Sequence, residues 1–314
     1  MSILKSQFIT LIVLCLGTSL SYAQAPQISL TLTDVPAGKS GQVVLSVYDG
    51  GLFWPVDTLS FNASGTIQLT MPRHRPVGLC AIELPNPAKN KAEFIWSSKE
   101  QGQVQLSANY WQLMNGSVEI EKSIENEAYN ELMFVKEQYD HLNDSLETLL
   151  HGLSVFKPDY KKQQFTLEAK VEYLQGQLND RLETIRTHFP NTYTTDVLIP
   201  LQQVAIRPRT SEFDSYLSYG HEHFMDGLPL NSTAILYHYA FADKVFYYLS
   251  HYTDPNSEGA RKGIDLVMHA VEGNASVYDF TYQLLLKEFL KIKKGGESIV
   301  KYLAIIMSAI VNLN

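Results

Sequence analysis

Two imidazoles flanking a carboxylate, His221-Glu222-His223, make the cluster in this 314-residue chain whose residue types best suit a metal ion. Their spacing works against it. Side chains at i and i+2 of a helix point about 200° apart, whereas the zinc-protease arrangement sets its histidines at i and i+4, and no third ligand is assignable from elsewhere. The run reads as a surface pair at a helix end. Ser-His-Asp catalysis lacks its Gly-x-Ser-x-Gly elbow, and the nine histidines are scattered. Gly38-Lys39-Ser40 matches the end of a phosphate loop, but Thr33 stands where the first glycine belongs and no helix is expected to follow, so it reads as a turn between strands. Glu119 with Glu121 and Glu125 with Glu127 read as solvent-facing charges on a strand and at a helix start. These patterns assign no catalytic, cofactor-binding or metal-binding residue, and no cofactor is expected.

Thiol chemistry meets a similar obstacle. The cysteines are Cys15 and Cys80, with no Cys-x-x-Cys pair. Cys15 lies in a stretch with one positive charge, Lys5, an apolar run from Phe8 to Gly17 and the small-residue ending Ser21-Tyr22-Ala23. Residues 1–23 therefore read as a secretory signal peptide, their apolar run being shorter than the ~20 residues of a membrane span. Leu14, directly before Cys15, does not suit a lipidation site. Cleavage is expected to leave Cys80 alone in an oxidising compartment, where Leu79-Cys80-Ala81-Ile82 reads as a buried strand and the thiol as a small hydrophobe. Loss of Lys5 leaves 24 basic against 33 acidic side chains, a formal charge of −9. Nucleic acid is not an expected partner: Arg73-His74-Arg75 and Lys291-Ile292-Lys293-Lys294 are too short to neutralise many phosphates and read as solvated charges.

The elements that would position these groups fall into two halves. With 45% hydrophobic and 18% charged residues the chain is globular, and its length favours about two domains. Over residues 24–122 short apolar stretches alternate with turn residues, predicting strands at Ile28–Thr33, Gln42–Tyr48, Val56–Phe61, Thr66–Met71, Gly78–Leu84, Ala92–Trp96, Val104–Ala108 and Val118–Ile120. That spacing indicates an antiparallel β-sandwich or small barrel. Over 123–314 the period becomes helical. Leu132, Val135, Tyr139, Leu142, Leu146, Leu149 and Leu153 form one seam, and Leu167, Val171, Leu174, Leu178, Leu182, Ile185 and Phe189 a second. A short loop around Pro158 joins them, predicting an antiparallel helical hairpin at 123–190, about 35 to 45 Å long. Residues 191–314 predict a helical array: Thr194–Val204, Ser211–Met225, Ser232–His251, Ser257–Val271, Ser276–Lys293 and Ser298–Val311. The expected class is α+β, a β-sandwich-like domain followed by an all-helical one.

The array is rich in aromatic residues, among them Tyr219, Phe224, Tyr237, Phe241, Tyr247, Tyr248 and Tyr252. Core packing accounts for most of them, and a ligand or peptide groove is the alternative.

The segments Val43-Val44-Leu45-Ser46-Val47-Tyr48-Asp49-Gly50, Val56-Asp57-Thr58, Lys122-Ser123-Ile124-Glu125-Asn126-Glu127-Ala128-Tyr129 and His223-Phe224-Met225-Asp226-Gly227-Leu228-Pro229-Leu230 stand in a layout of signal peptide, β domain, hairpin and array. This layout resembles the region preceding the thioredoxin domain in Bacteroidota TlpA-like thiol-disulfide oxidoreductases of the cell envelope. In that family a Trp-Cys-x-x-Cys motif supplies the thiolates that attack disulfides, and this sequence has none. The resemblance implies a non-catalytic, periplasmic or envelope-associated docking module with protein partners. The alternatives are a truncated accessory part of a thioredoxin-like reductase, and a small-molecule or glycan binder using an aromatic groove.

Overall fold

A computed structural model describes residues 26–85, 90–100, 104–154, 156–208, 215–253 and 257–291. The expected signal peptide and the expected helix Ser298–Val311 lie outside the described residues. The architecture is α+β, with strands in the N-terminal part followed by a helical region. The strands are β1 Gln27–Thr33, β2 Gly41–Asp49, β3 Leu52–Phe61, β4 Gly65–Thr70, β5 Val77–Glu83, β6 Ala92–Ser97, β7 Gln105–Asn109 and β8 Glu119–Glu121. They form two four-stranded sheets, ordered β4-β1-β7-β8 and β3-β2-β5-β6. Neighbours are antiparallel except β1 and β7, which run parallel from Ser29 opposite Gln105 to Thr33 opposite Asn109.

Alternate side chains fill the space between the sheets: Ile28, Leu30 and Leu32 of β1, Val43 and Leu45 of β2, Cys80 and Ile82 of β5, Phe94 and Trp96 of β6. The intervening Tyr48, Leu79 and Ile95 point the other way and join the core of the helical half. The second sheet is thus covered on both faces, which is why β5 is buried at each position from Gly78 to Ile82 and reads as an unbroken apolar run. The molecule has three layers, sheet on sheet on helices.

The helices are α1 Tyr110–Met114, α2 Ile124–His151, α3 Tyr160–His188, α4 Ile199–Gln202, α5 Tyr216–His223, α6 Ala240–His251, α7 Ser257–Ala270 and α8 Ala275–Lys291. The expected hairpin is α2 with α3. Its seams hold near the sheet, where Leu132, Val135, Leu182 and Ile185 are buried. Farther out, Leu142 and Leu149 are exposed, and Asn143 and Glu147 are buried in their place. A straight helix of 3.6 residues per turn drifts about 20° per heptad, so the buried stripe moves from the 3.5-residue seam onto these polar positions, where α6 packs.

Other departures have local causes. The strand expected from Val56 begins at Leu52, because β3 is an edge strand where Pro55 need not donate to a ladder. Val56 is the extra residue of a bulge, with Leu45 opposite Asp57 and Ser46 opposite Pro55. Helix α1 was not expected; Asn109 and Gln112 close a capping box at its start. The single helix expected over Ser232–His251 is broken, since His238 is extended between a 3-10 turn, Thr233–Tyr237, and α6. The expected helix Thr194–Val204 is a π turn, Thr194–Leu198, followed by the short α4.

The joint between the halves buries two residues, Arg75 and Glu125, that the sequence places in solvent. Arg75 is buried, sits over the Tyr237 ring at 4.0 Å, pairs with Asp49 and donates to the Tyr48 carbonyl. Gly78 has φ +136°, and a Cβ there would stand 2.6 Å from that of Tyr237, so only glycine admits the 3-10 turn this close to β5. Glu125 is buried as well, and its carboxylate accepts the Tyr193 N–H at 2.8 Å. Burial raises its pKa.

Candidate functional site

A cleft of about 260 Å³ lies where the hairpin meets the array. Helix α2 contributes Lys136, Tyr139, Asp140, Asn143 and Asp144, spaced at three and four residues along one face. Leu178 and Leu182 of α3 and Leu201 of α4 form an apolar wall, Phe224 caps the end of α5, and α6 supplies Asp243, Lys244 and Tyr247.

The position of Lys244 is set by the chain after α4. Asn179 of α3 donates to the Val204 carbonyl at 2.9 Å and accepts the Val204 N–H at 3.2 Å, and Arg207 pairs with Glu172 at 2.8 Å. That clamp fixes the Gln203 carbonyl, which accepts from Lys244 Nζ at 2.7 Å. The same ammonium lies over the Phe224 ring, 4.2 Å from its centroid. No carboxylate pairs with it among the described residues, and desolvation pulls its pKa down to about 7. Across the cleft Lys136 pairs with Asp140. Burial raises the pKa of Asp243, a shift that Lys136 partly offsets. Asp140, Asp144 and Asp243 outnumber Lys136 and Lys244 among the residues that line the cleft.

The floor continues into a buried polar cluster. Glu147 accepts from Asn143 Nδ2 at 2.9 Å and from the Tyr247 hydroxyl at 2.6 Å, and its second oxygen lies 3.2 Å from His251 Nε2. Tyr247 stacks on His251 with centroids 4.1 Å apart. Gly220 on α5 leaves room for Tyr252, whose ring would lie 2.1 Å from a Cβ there. A second cluster sits at the joint. His238 Nδ1 accepts the Ala240 N–H at 3.0 Å, which leaves Nε2 to donate to the Tyr129 hydroxyl at 3.3 Å. Tyr129 reaches Tyr239 at 3.4 Å, and Tyr239 reaches Glu93.

The residues singled out from the sequence go elsewhere. On α5, His223 turns to Asp226 at 2.8 Å and stacks on Tyr219, while His221 lies toward Tyr248. The two imidazoles diverge as their spacing requires. Gly38 sits at φ +74° in the turn before β2. Cys80 is buried inside the sandwich, where desolvation pushes its thiol up to about 12. Of the aromatic residues, Phe241 and Tyr248 are core, and Phe224 and Tyr247 line the cleft. Lys244 was not singled out, although it falls on the buried stripe of Phe241, Val245 and Tyr248, a charge among apolar positions at helical spacing. Among the described residues no helix is long and apolar enough to cross a membrane. Comparison of the chain with family models, with curated proteins and with solved structures returned no match.

Proposed function

We propose that this chain is a non-catalytic envelope protein acting as an interaction module, organised like the region that precedes the thioredoxin domain in TlpA-like oxidoreductases. Its docking site is the cleft between hairpin and array, and the ligand is a segment of a partner protein that inserts a basic side chain. The observation that carries this reading is the convergence of Asp140, Asp144 and Asp243, from two helices, on a cleft with aromatic and aliphatic walls. Thiol exchange does not fit the same chain, because a substrate disulfide would reach Cys80 only if β5 left the sandwich.

Selection of displayed peptides on the purified chain tests the reading. Lysine- or arginine-bearing sequences should be enriched, and the double variant Asp144→Asn/Asp243→Asn should bind them at least tenfold more weakly. Peptides that bind the variant equally well would refute the cleft as the docking site, and turnover in an insulin-reduction assay would refute the non-catalytic assignment.

A second reading, a small polar molecule in the same cleft, is favoured by the cleft's size, which is below the usual range for drug-sized ligands. A melting screen against sugars and amines decides it: a shift that is lost in Asp144→Asn/Asp243→Asn supports the reading, and no shift removes it.

A further inference from the structure

The outer end of the hairpin has no role in the cleft and is built unlike the rest of the molecule. From Thr148 to Leu167, none of the described residues is buried. Backbone bonds tie the described residues on either side of the apex: Gly152 to Thr148, Lys157 to Ser154, Tyr160 to Lys157 and Gln163 to Asp159, all at 3.0 to 3.1 Å. Three large apolar side chains at this end are nevertheless exposed. Phe156 is 93% exposed at the apex, Phe165 is 73% exposed in the second turn of α3, and Leu149 is 57% exposed on α2.

Charge at this end is opposite to that of the whole chain. Lys157, Lys161 and Lys162 stand among these aromatics, with Asp159 the single acid between residues 148 and 167, in a protein whose formal charge is −8. With α3 rising 1.5 Å per residue, the lysines lie within about one to two helical turns of the apex. An apolar tip ringed by cations matches a bilayer with anionic headgroups: phenylalanines enter the boundary of headgroup and acyl chain, and ammonium groups remain at phosphate level. A protein groove would be expected to offer the apolar contact without requiring this basic ring.

We propose that the hairpin tip, through Phe156, Phe165 and the surrounding lysines, docks the protein on an anionic phospholipid surface. The arm would then hold the sandwich and the cleft away from the bilayer, along a helix of 28 residues that spans about 42 Å.

The test uses the chain from Gln24 onward, which retains every described residue. It is co-sedimented with vesicles of equal parts phosphatidylglycerol and phosphatidylcholine, and with phosphatidylcholine alone. Binding is expected to the anionic vesicles only, to weaken at high salt, and to fall at least tenfold in Phe156→Ser/Phe165→Ser and in Lys157→Glu/Lys161→Glu/Lys162→Glu. All five positions are at the unburied end, so both variants should melt like the parent. No binding to anionic vesicles, or binding that both variants retain, overturns the proposal. Self-association abolished by the serine variant would assign the tip to a second copy of the chain and overturn it equally.

Discussion

Asn126, in the first turn of α2, completes the edge of the second sheet: its side chain accepts the Ile95 N–H at 2.7 Å and donates to the Ile95 carbonyl at 2.8 Å. One amide thereby stands in for the strand that would have followed β6, and covers an edge that would otherwise be open to pairing. Ser123 holds the amide in place, accepting from Asn126 Nδ2 at 2.7 Å, and Glu100 accepts the Ser123 hydroxyl at 3.0 Å. The sandwich and the hairpin are joined through this contact.

Asn126→Ala leaves a buried N–H and a buried carbonyl without partners, at about 1–3 kcal/mol each. Urea denaturation should show a loss of about 3 kcal/mol. Asn126→Asp, which keeps the acceptor, should lose a different amount, and an unchanged midpoint in both variants would refute the bridge.

Gly78→Ala places a methyl group 2.6 Å from Tyr237 Cβ and 3.0 Å from its carbonyl, at a φ that L residues rarely adopt. Strain and overpacking together should cost about 3 kcal/mol. Calorimetry should find a lower Tm, and the same substitution made in Tyr237→Gly, which lacks that Cβ, should cost less if the contact is the cause.

Lys244 titrates near 7 in the folded protein against 10.5 when free. Between those values the unfolded chain binds the extra proton, so this group makes stability rise with pH across the window and opposes folding most strongly below pH 7. Lys244→Met should be the more stable protein below pH 7, by on the order of 3 kcal/mol, with the gap closing as pH approaches 10. Denaturation curves for both proteins across that range provide the check, and parallel pH profiles would contradict it.

His238 acts in the same direction as Lys244 but in a lower pH window. Burial lowers its pKa from 6.5 to about 3, so its contribution is complete above 6.5 and is lost as pH falls toward 3, where the unfolded chain has taken the proton. His238→Gln should flatten the acid limb of the stability profile. Nitrogen NMR at pH 5 should find the wild-type ring neutral with its proton on Nε2, whereas a charged ring would rule out this account.

Much of the architecture was legible in local pattern. Alternation over β1 and β2, the change of period after Ser123 and the unbroken run at Leu79-Cys80-Ala81-Ile82 each report a periodicity imposed by which faces are buried, and one-dimensional pattern carries that information. The start of α8 was only approximately legible: the expected helix begins at Ser276, and Asn274 caps it from two residues earlier, accepting the Ser276 and Val277 N–H groups. The same turn chemistry suits both residues, so their order along the chain does not decide between them.

By itself the sequence determined the α+β class, the sandwich strands, the hairpin and the burial of Cys80, because hydrophobic period and turn residues act over a few positions. Tertiary structure alone decided the parallel pairing of β1 with β7, the burial of Arg75 and Glu125, the polar cluster around Glu147 and the cleft at Lys244. These depend on partners far away in the chain: Arg75 is buried because Tyr237 covers it, Glu125 because Tyr193 donates to it, and Lys244 because Asn179 holds the Gln203 carbonyl before it. Whether a polar side chain goes inside turns on which distant group meets its hydrogen bonds, and residue type and spacing do not encode that pairing.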